Sequence, residues 1–243
     1  MEKINLAWWT GEGGKNFGDK LSPWLAKKIS GKEINTISMS DTSDTIRYYG
    51  VGSILPANKH SIIWGSGFIL KDSPVSNPIK ICAVRGKLSR DKFISNQIEC
   101  PEVYGDPALL LPLYYNQKVK IKHKIGILPH YINKNENWTR DFQGALIIDI
   151  FDKIENVIDQ VRSCEKLVTS SLHGLILAHA YGMPVCRVQG HNNLCGGEFK
   201  FKDYYSGIGI DYKKPSQPDN YLFVSENLSN YDALKLLESC PFK

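Results

Sequence analysis

Apolar and polar positions alternate along the chain in two periods that take turns, and the stretch Lys166–Val188 shows both most clearly. Lys166–Thr169 reads as a short apolar strand, after which Leu172, Leu175, Ile176 and His179 recur at helical spacing. Ser170 and Ser171 are residue types that cap helix N-termini, Gly182 ends the helix, Pro184 prevents its continuation, and Met183–Val188 begins another strand. His173 therefore falls in the first helical turn, at the carboxyl end of a strand. Backbone N–H groups point outward there and the helix dipole is positive, so an anion is welcome beside the imidazole. His179 lies on the apolar stripe and reads as a core histidine.

The same alternation runs through the rest of the chain. Ile4–Trp9 is an apolar strand, followed by a glycine-rich loop and a helix over Lys20–Ser30. Arg47–Leu55 and Ser61–Gly65 are two further strands. Ile79–Val84 is a buried strand that delivers Arg85 at its carboxyl end, and Gly86 then opens a helix that runs to Ser95. Tyr104-Gly105-Asp106-Pro107 is a turn before the apolar Ala108–Leu113, with Asp106 as turn residue or cap. The basic segment Tyr114–Lys124 links a domain over 1–118 to one over 119–243. Ile125–Pro129 is the next strand and ends at His130; Ala145–Asp149 is another. Ile154, Val157, Ile158 and Val161 then mark an amphipathic helix. Phe199–Tyr205 alternates aromatic and basic residues, as an edge strand with snorkelling lysines or as a lip over a sugar. Leu228, Tyr231, Leu234 and Leu237 predict a closing helix over 229–240 that packs back on the first domain.

Strands alternating with helices predict an α/β fold of two Rossmann-like domains built on parallel sheets. Such sheets bind ligands outside the carboxyl ends of their strands. A cleft between the halves would bring Arg85 and His173 together, one from each.

Composition narrows the class of protein. At 243 residues and 42% apolar the chain buries a full core, and no run reaches the roughly 18 apolar residues of a membrane span. The N-terminus lacks the apolar core of a signal peptide. Cys82, Cys100, Cys164, Cys186, Cys195 and Cys240 are scattered, with no CxxC pair, and read as reduced thiols of a cytoplasmic protein. The net charge of +5 suits an anionic substrate or contact with the inner face of a membrane, and is weak evidence for nucleic acid, which is not expected as a partner.

The candidate chemistry follows from the glycines and charges. The loop after the first strand lacks Walker A spacing, and neither G-x-G around Gly50–Gly52 and Gly65–Gly67 completes a dinucleotide fingerprint. The loop is a mobile connection or a cleft wall whose polar groups are Asn16 and Asp19. Arg85, Gly86, Lys87 and Ser89 put a guanidinium fork, a point charge and a hydroxyl at one helix start, suited to phosphate or carboxylate or to a surface salt bridge. Cys186, His191 and Cys195 match no standard zinc spacing, so no metal is expected.

Six segments then carry a resemblance: Asn16-Phe17-Gly18-Asp19, Gly65-Ser66-Gly67, Val84-Arg85-Gly86-Lys87-Leu88-Ser89, Gly105-Asp106-Pro107-Ala108, Ser170-Ser171-Leu172-His173-Gly174 and Lys202-Asp203-Tyr204. In this order the chain resembles the polysaccharide pyruvyl transferase family, in its bacterial capsule and exopolysaccharide branch. The resemblance implies a fold similar to the two-domain GT-B glycosyltransferases. It implies transfer of pyruvate from phosphoenolpyruvate, the co-substrate, to two hydroxyls of one sugar, on an acceptor such as a lipid-linked oligosaccharide, without a cofactor. Arg85 matches the family's RG arginine and His173 its LHG histidine, the two catalytic candidates. Asn16, Asp19, Gly67, Lys87, Ser89, His130, Ser170, Ser171, Lys200, Lys202, Asp203 and Tyr204 are the substrate-binding candidates. Many members carry arginine where this chain has Ser171, and Lys87, Lys200 or Lys202 is its expected replacement. A nucleotide-sugar glycosyltransferase and a non-catalytic saccharide-binding subunit are the rival classes.

Overall fold

The structure is a computed structural model that describes residues 3–11, 14–190, 196–217 and 220–243. Its elements in chain order are β1 (Ile4–Ala7), α1 (Phe17–Ser30), β2 (Ile34–Ile37), β3 (Arg47–Tyr49), β4 (Ser61–Trp64), β5 (Lys80–Ala83) and α2 (Lys87–Ser95). A 3₁₀ turn over Pro107–Leu110 runs into the short α3 (Leu111–Tyr114). The second half holds β6 (His123–Leu128), β7 (Leu146–Ile147), α4 (Ile154–Arg162), β8 (Cys164–Thr169), α5 (Leu172–Ala180), β9 (Val185–Arg187), α6 (Phe199–Ile208) and α7 (Ala233–Glu238).

The strands form two sheets, ordered β2-β1-β3-β4-β5 and β7-β6-β8-β9, with every pairing between these strands parallel. Both orders turn back on themselves, the first between β1 and β3, the second between β6 and β8. At such a point the loops leaving adjacent strands go to opposite faces and open a crevice outside the strand ends. The fold is thus Rossmann-like α/β with two switch points. The central strands read as near-continuous apolar runs because parallel strands are covered on both faces; Ile127, Leu128, Leu167 and Val168 are all fully buried.

Helices stitch the halves together. α1 follows the first strand, yet Phe17, Leu21 and Leu25 share one apolar cluster with Val157 of α4 and with Leu172, Leu175 and Ile176 of α5. The Phe17 N–H donates to the Ile150 carbonyl at 2.7 Å, and Trp24 Nε1 donates to Glu155 at 2.7 Å. α6 makes the reciprocal crossing: it follows the last strand but lies on α2 of the first half. α7 returns to the first sheet, where Leu236 joins Ile4, Leu6 and Trp64 and accepts the Trp64 indole N–H at 2.9 Å.

Several elements differ from the sequence reading. Phe199–Ile208 is a helix, not an edge strand, because Phe201, Tyr204, Tyr205 and Ile208 make a buried stripe at i, i+3, i+4 and i+7. The strand expected over Arg47–Leu55 stops at Tyr49, where Gly50 and Gly52 follow, the latter at φ 123°. α1 starts at Phe17 because Asn16 caps it, accepting the Asp19 N–H at 3.2 Å. The closing helix is confined to Ala233–Glu238. Among the described residues no helix is long and apolar enough to cross a membrane, and no group of His, Cys, Asp and Glu is placed to hold a metal ion. His191 and Cys195 lie outside the described residues; Cys82, Cys100, Cys164, Cys186 and Cys240 are buried free thiols.

Candidate active site

One cavity of about 430 Å³ collects the loops that leave the carboxyl ends of both sheets. Trp9 comes from beyond β1, Met39 from β2, Ser53–Pro56 from β3 and Ile69 from β4; His130–Ile132 come from β6 and Ser171–His173 from β8. Asn16 and Asp19 enter from the start of α1, and Lys200 from the start of α6. Both switch points therefore open on the same space. Its lining mixes apolar side chains with a few polar ones, the usual character of a small-molecule site.

His173 is one of the lining residues. Ser171 caps α5 by accepting the Gly174 N–H at 3.4 Å, which fixes where the first turn begins. The imidazole then packs against the start of α1, where Gly18 leaves it room. A Cβ on Gly18 would stand 2.1 Å from His173 Nδ1, so any larger residue displaces the ring. On the far side, Nε2 lies 3.7 Å from Oδ2 of Asp106, a fully buried carboxylate.

Three titratable groups share the cavity with this ring. Burial pushes the Asp19 carboxyl up to about 6, although His173, a hydrogen bond from Asn16, and Lys200 each favour its charged form. A carboxyl so placed keeps its proton to a higher pH than an exposed aspartate does. Burial, then the positive charges of Lys200 and His173, holds His130 down at about 3, so its ring is neutral and acts only as a hydrogen-bonding wall. His130 is anchored by its backbone N–H, which donates to Ser170 Oγ at 3.0 Å. Lys200 is buried at 7% exposure and is the lysine of α6 that reaches the cavity.

The other sequence candidates sit elsewhere. Arg85 is fully buried, and the place foreseen for a substrate anion is occupied by a carboxylate of this chain. Its Nε donates to Asp203 Oδ2 at 2.9 Å, Nη2 donates to the Phe68 carbonyl at 2.7 Å, and Nη1 donates to Ser53 Oγ. Asp203 also accepts the Ser89 N–H and hydroxyl, both at 2.7 Å. Gly67 serves this cluster, since a Cβ there would lie 2.4 Å from Arg85 Cζ. Arg85, Ser89 and Asp203 thus fasten α6 to α2 behind the cavity and reach it only through Ser53. Lys87 is exposed, with its backbone N–H on Ser206 Oγ. Lys202 is exposed over the Tyr212 ring, and Tyr204 is fully buried with its hydroxyl 3.0 Å from His179 Nδ1. The helical twist of α6 explains the split: Lys200 and Lys202 are two residues apart, so they face different sides.

Ser53 and Asp106 were not foreseen as members of the site. Asp106 reads in the sequence as a turn residue or cap within one of the six resembling segments, and Ser53 lies between glycines that read as strand punctuation.

The chain is thus an α/β protein whose two parallel sheets share one cavity at their switch points. The chain belongs to the polysaccharide pyruvyl transferase family, whose profile matches residues 29–192, and is an enzyme of the pyruvyltransferase class. It is 31% identical over 212 residues to an uncharacterized protein of Acanthamoeba polyphaga mimivirus, covering 82% of this chain and 74% of that one. It is 28% identical over 226 residues to the succinoglycan biosynthesis protein ExoV of Rhizobium meliloti, covering 87% of this chain and 67% of that one. No solved structure gives a significant match. Asn16, Asp19 and Lys200 lie outside the matched span, although they line the same cavity as His173.

Proposed function

We propose that the chain moves pyruvate from phosphoenolpyruvate onto two hydroxyls of one sugar in a polysaccharide precursor, with the two sheets in a GT-B-like arrangement around the substrates. The observation that carries this reading is the single cavity that gathers an imidazole, a carboxyl poised near neutral pH and a lysine. Phosphoenolpyruvate needs just such a set. A proton must reach C3 to make C2 electrophilic, one sugar hydroxyl adds to C2, and a second closes the ring as phosphate leaves. Of the two hydroxyl protons, one is balanced by the proton gained at C3 and the other leaves with phosphate.

Asp19 is the acid suited to C3, because its carboxyl is held near 6. His173 accepts the hydroxyl proton. Lys200 and the first-turn N–H groups of α5 hold the donor's anionic groups. Ser53, whose oxygen already accepts from Arg85, keeps its O–H to donate to substrate. The acceptor we favour is a lipid-linked oligosaccharide met at the cytoplasmic face of a membrane.

Mass spectrometry of lipid-linked and nucleotide-linked sugars incubated with phosphoenolpyruvate tests the reading. A mass gain equal to pyruvate less one water, matched by released phosphate, is the expected product. Gain of a hexose from a nucleotide sugar, with none from phosphoenolpyruvate, would identify glycosyl transfer instead.

A further inference from the structure

Two buried polar atoms near the cavity face each other without a hydrogen bond: Nε2 of His173 and Oδ2 of Asp106. Buried polar atoms are rarely left so, because each forfeits its hydration. Their separation is 3.7 Å, and a closure of about 0.8 Å makes a normal N–H···O bond. We propose that Asp106 is the positioning residue of a histidine–carboxylate pair. It accepts the Nε2–H of His173 and thereby leaves the Nδ1 lone pair as the atom that exchanges protons with substrate. The last clause rests on the pyruvyl-transfer reading; the pair itself does not.

The surroundings of Asp106 leave it this one task. Its other oxygen accepts the Ala108 N–H at 3.0 Å, which caps the 3₁₀ turn and fixes the carboxylate plane. The turn packs directly on α5, the helix that carries His173. Two tyrosines lie near enough to feel the carboxylate's charge, but their hydroxyls are engaged elsewhere: Tyr204 with His179 Nδ1 and Tyr231 with the Tyr104 carbonyl at 3.0 Å. Asp106 is fully buried and does not line the cavity, so it acts on substrate only through the ring. The Nδ1 edge of that ring packs against Gly18 at the start of α1, close to Asp19. With the proton held on Nε2, a neutral His173 has only Nδ1 available as a base.

Asp106→Asn separates positioning from packing. Asparagine caps as well as aspartate and has the same shape, so the fold is retained. Its amide can donate to Nε2, which favours the opposite tautomer, as in serine-protease triads where such a change costs about 10⁴ in kcat. The ring nitrogens of His173 are read by ¹⁵N NMR on the intact protein without substrates, at alkaline pH, with His173→Ala identifying the signals. The expected result is Nε2–H in the wild type and a shift toward Nδ1–H in Asp106→Asn. Turnover should fall about 10²–10⁴-fold with donor KM little changed. A wild-type Nδ1–H ring, an unmoved tautomer in the variant, or unchanged kcat overturns the proposal. Because the tautomer is read without donor or acceptor, a failure of the pyruvyl-transfer reading leaves the pair standing or falling on its own.

Discussion

Asp203→Ala removes a carboxylate that α6 carries into the first half of the chain, and its cost can be worked from the contacts. Asp203 holds Arg85 Nε at 2.9 Å and both donors of Ser89 at 2.7 Å, and neither charged side chain touches solvent. Truncation strands a guanidinium in the interior, and breaking a buried pair from one side costs about 3–5 kcal/mol. For a protein of this size each kcal/mol lowers Tm by about 2–4 °C, so a fall of roughly 6–20 °C is expected. Thermal and urea unfolding of Asp203→Ala, Arg85→Met and the double variant form the assay. The double variant should be more stable than the sum of the single losses predicts, because it leaves no unpaired charge. A loss below about 1 kcal/mol in Asp203→Ala, or strict additivity, would falsify the account. Arg85→Lys sharpens it. Lysine keeps the charge but cannot reach Asp203, Phe68 and Ser53 together. It should lower stability first and donor affinity only through Ser53. Wild-type stability with donor binding abolished would mean that the guanidinium touches the donor directly.

Lys200→Met should weaken phosphoenolpyruvate binding about tenfold or more, as loss of one charge-assisted bond does, while Lys202→Met leaves it unchanged; equal effects in titration calorimetry would remove the special role of Lys200. Asp19 has its carboxyl raised from 3.8 to about 6. The folded state therefore holds the proton more tightly, and this group's contribution to stability declines as pH rises from about 4 to 6. Asp19→Asn should consequently be the more stable protein at pH 7, by up to about 3 kcal/mol, with the gain gone by pH 4 and turnover lost; a gain of equal size in urea melts at both pH values refutes this. His173→Ala should fold normally and lose at least about 10²-fold in kcat. His179→Ala should lose about 2 kcal/mol or more of stability yet retain activity, since it opens a void beside Tyr204; the reverse pattern in paired melts and assays would mean the two histidines are misassigned.

What the sequence made legible was whatever repeats locally. The β8–α5 unit is strongly periodic, so the cap at Ser171, the placing of His173 and the burial of His179 all follow from spacing. β2 went unseen because Ile34–Ile37 is a four-residue edge strand with Asn and Thr between its two isoleucines. α6 was misread because Phe199–Lys202 alternates with period two, and its helical stripe emerges only from Phe201 onward. Arg85 was placed correctly at a strand end, but its partner lies 118 residues away, and nothing local announces a carboxylate arriving from another helix. Asp106 shows the same limit: a capping aspartate before proline looks alike whether its second oxygen meets water or an imidazole.

The crossing of α1 and α6 between the two sheets bears on how substrates get in. Parting the halves like a hinge would expose the apolar faces of both helices and pull Asp203 from Arg85, a loss far beyond what binding one small donor returns. With these contacts crossing between the halves, a cut between Tyr114 and His123 should give two fragments that are insoluble apart and regain structure only when refolded together. If the halves do not part, access to the cavity is expected past the strand-end loops that line it, Ser53–Pro56 on one side and His130–Ile132 on the other.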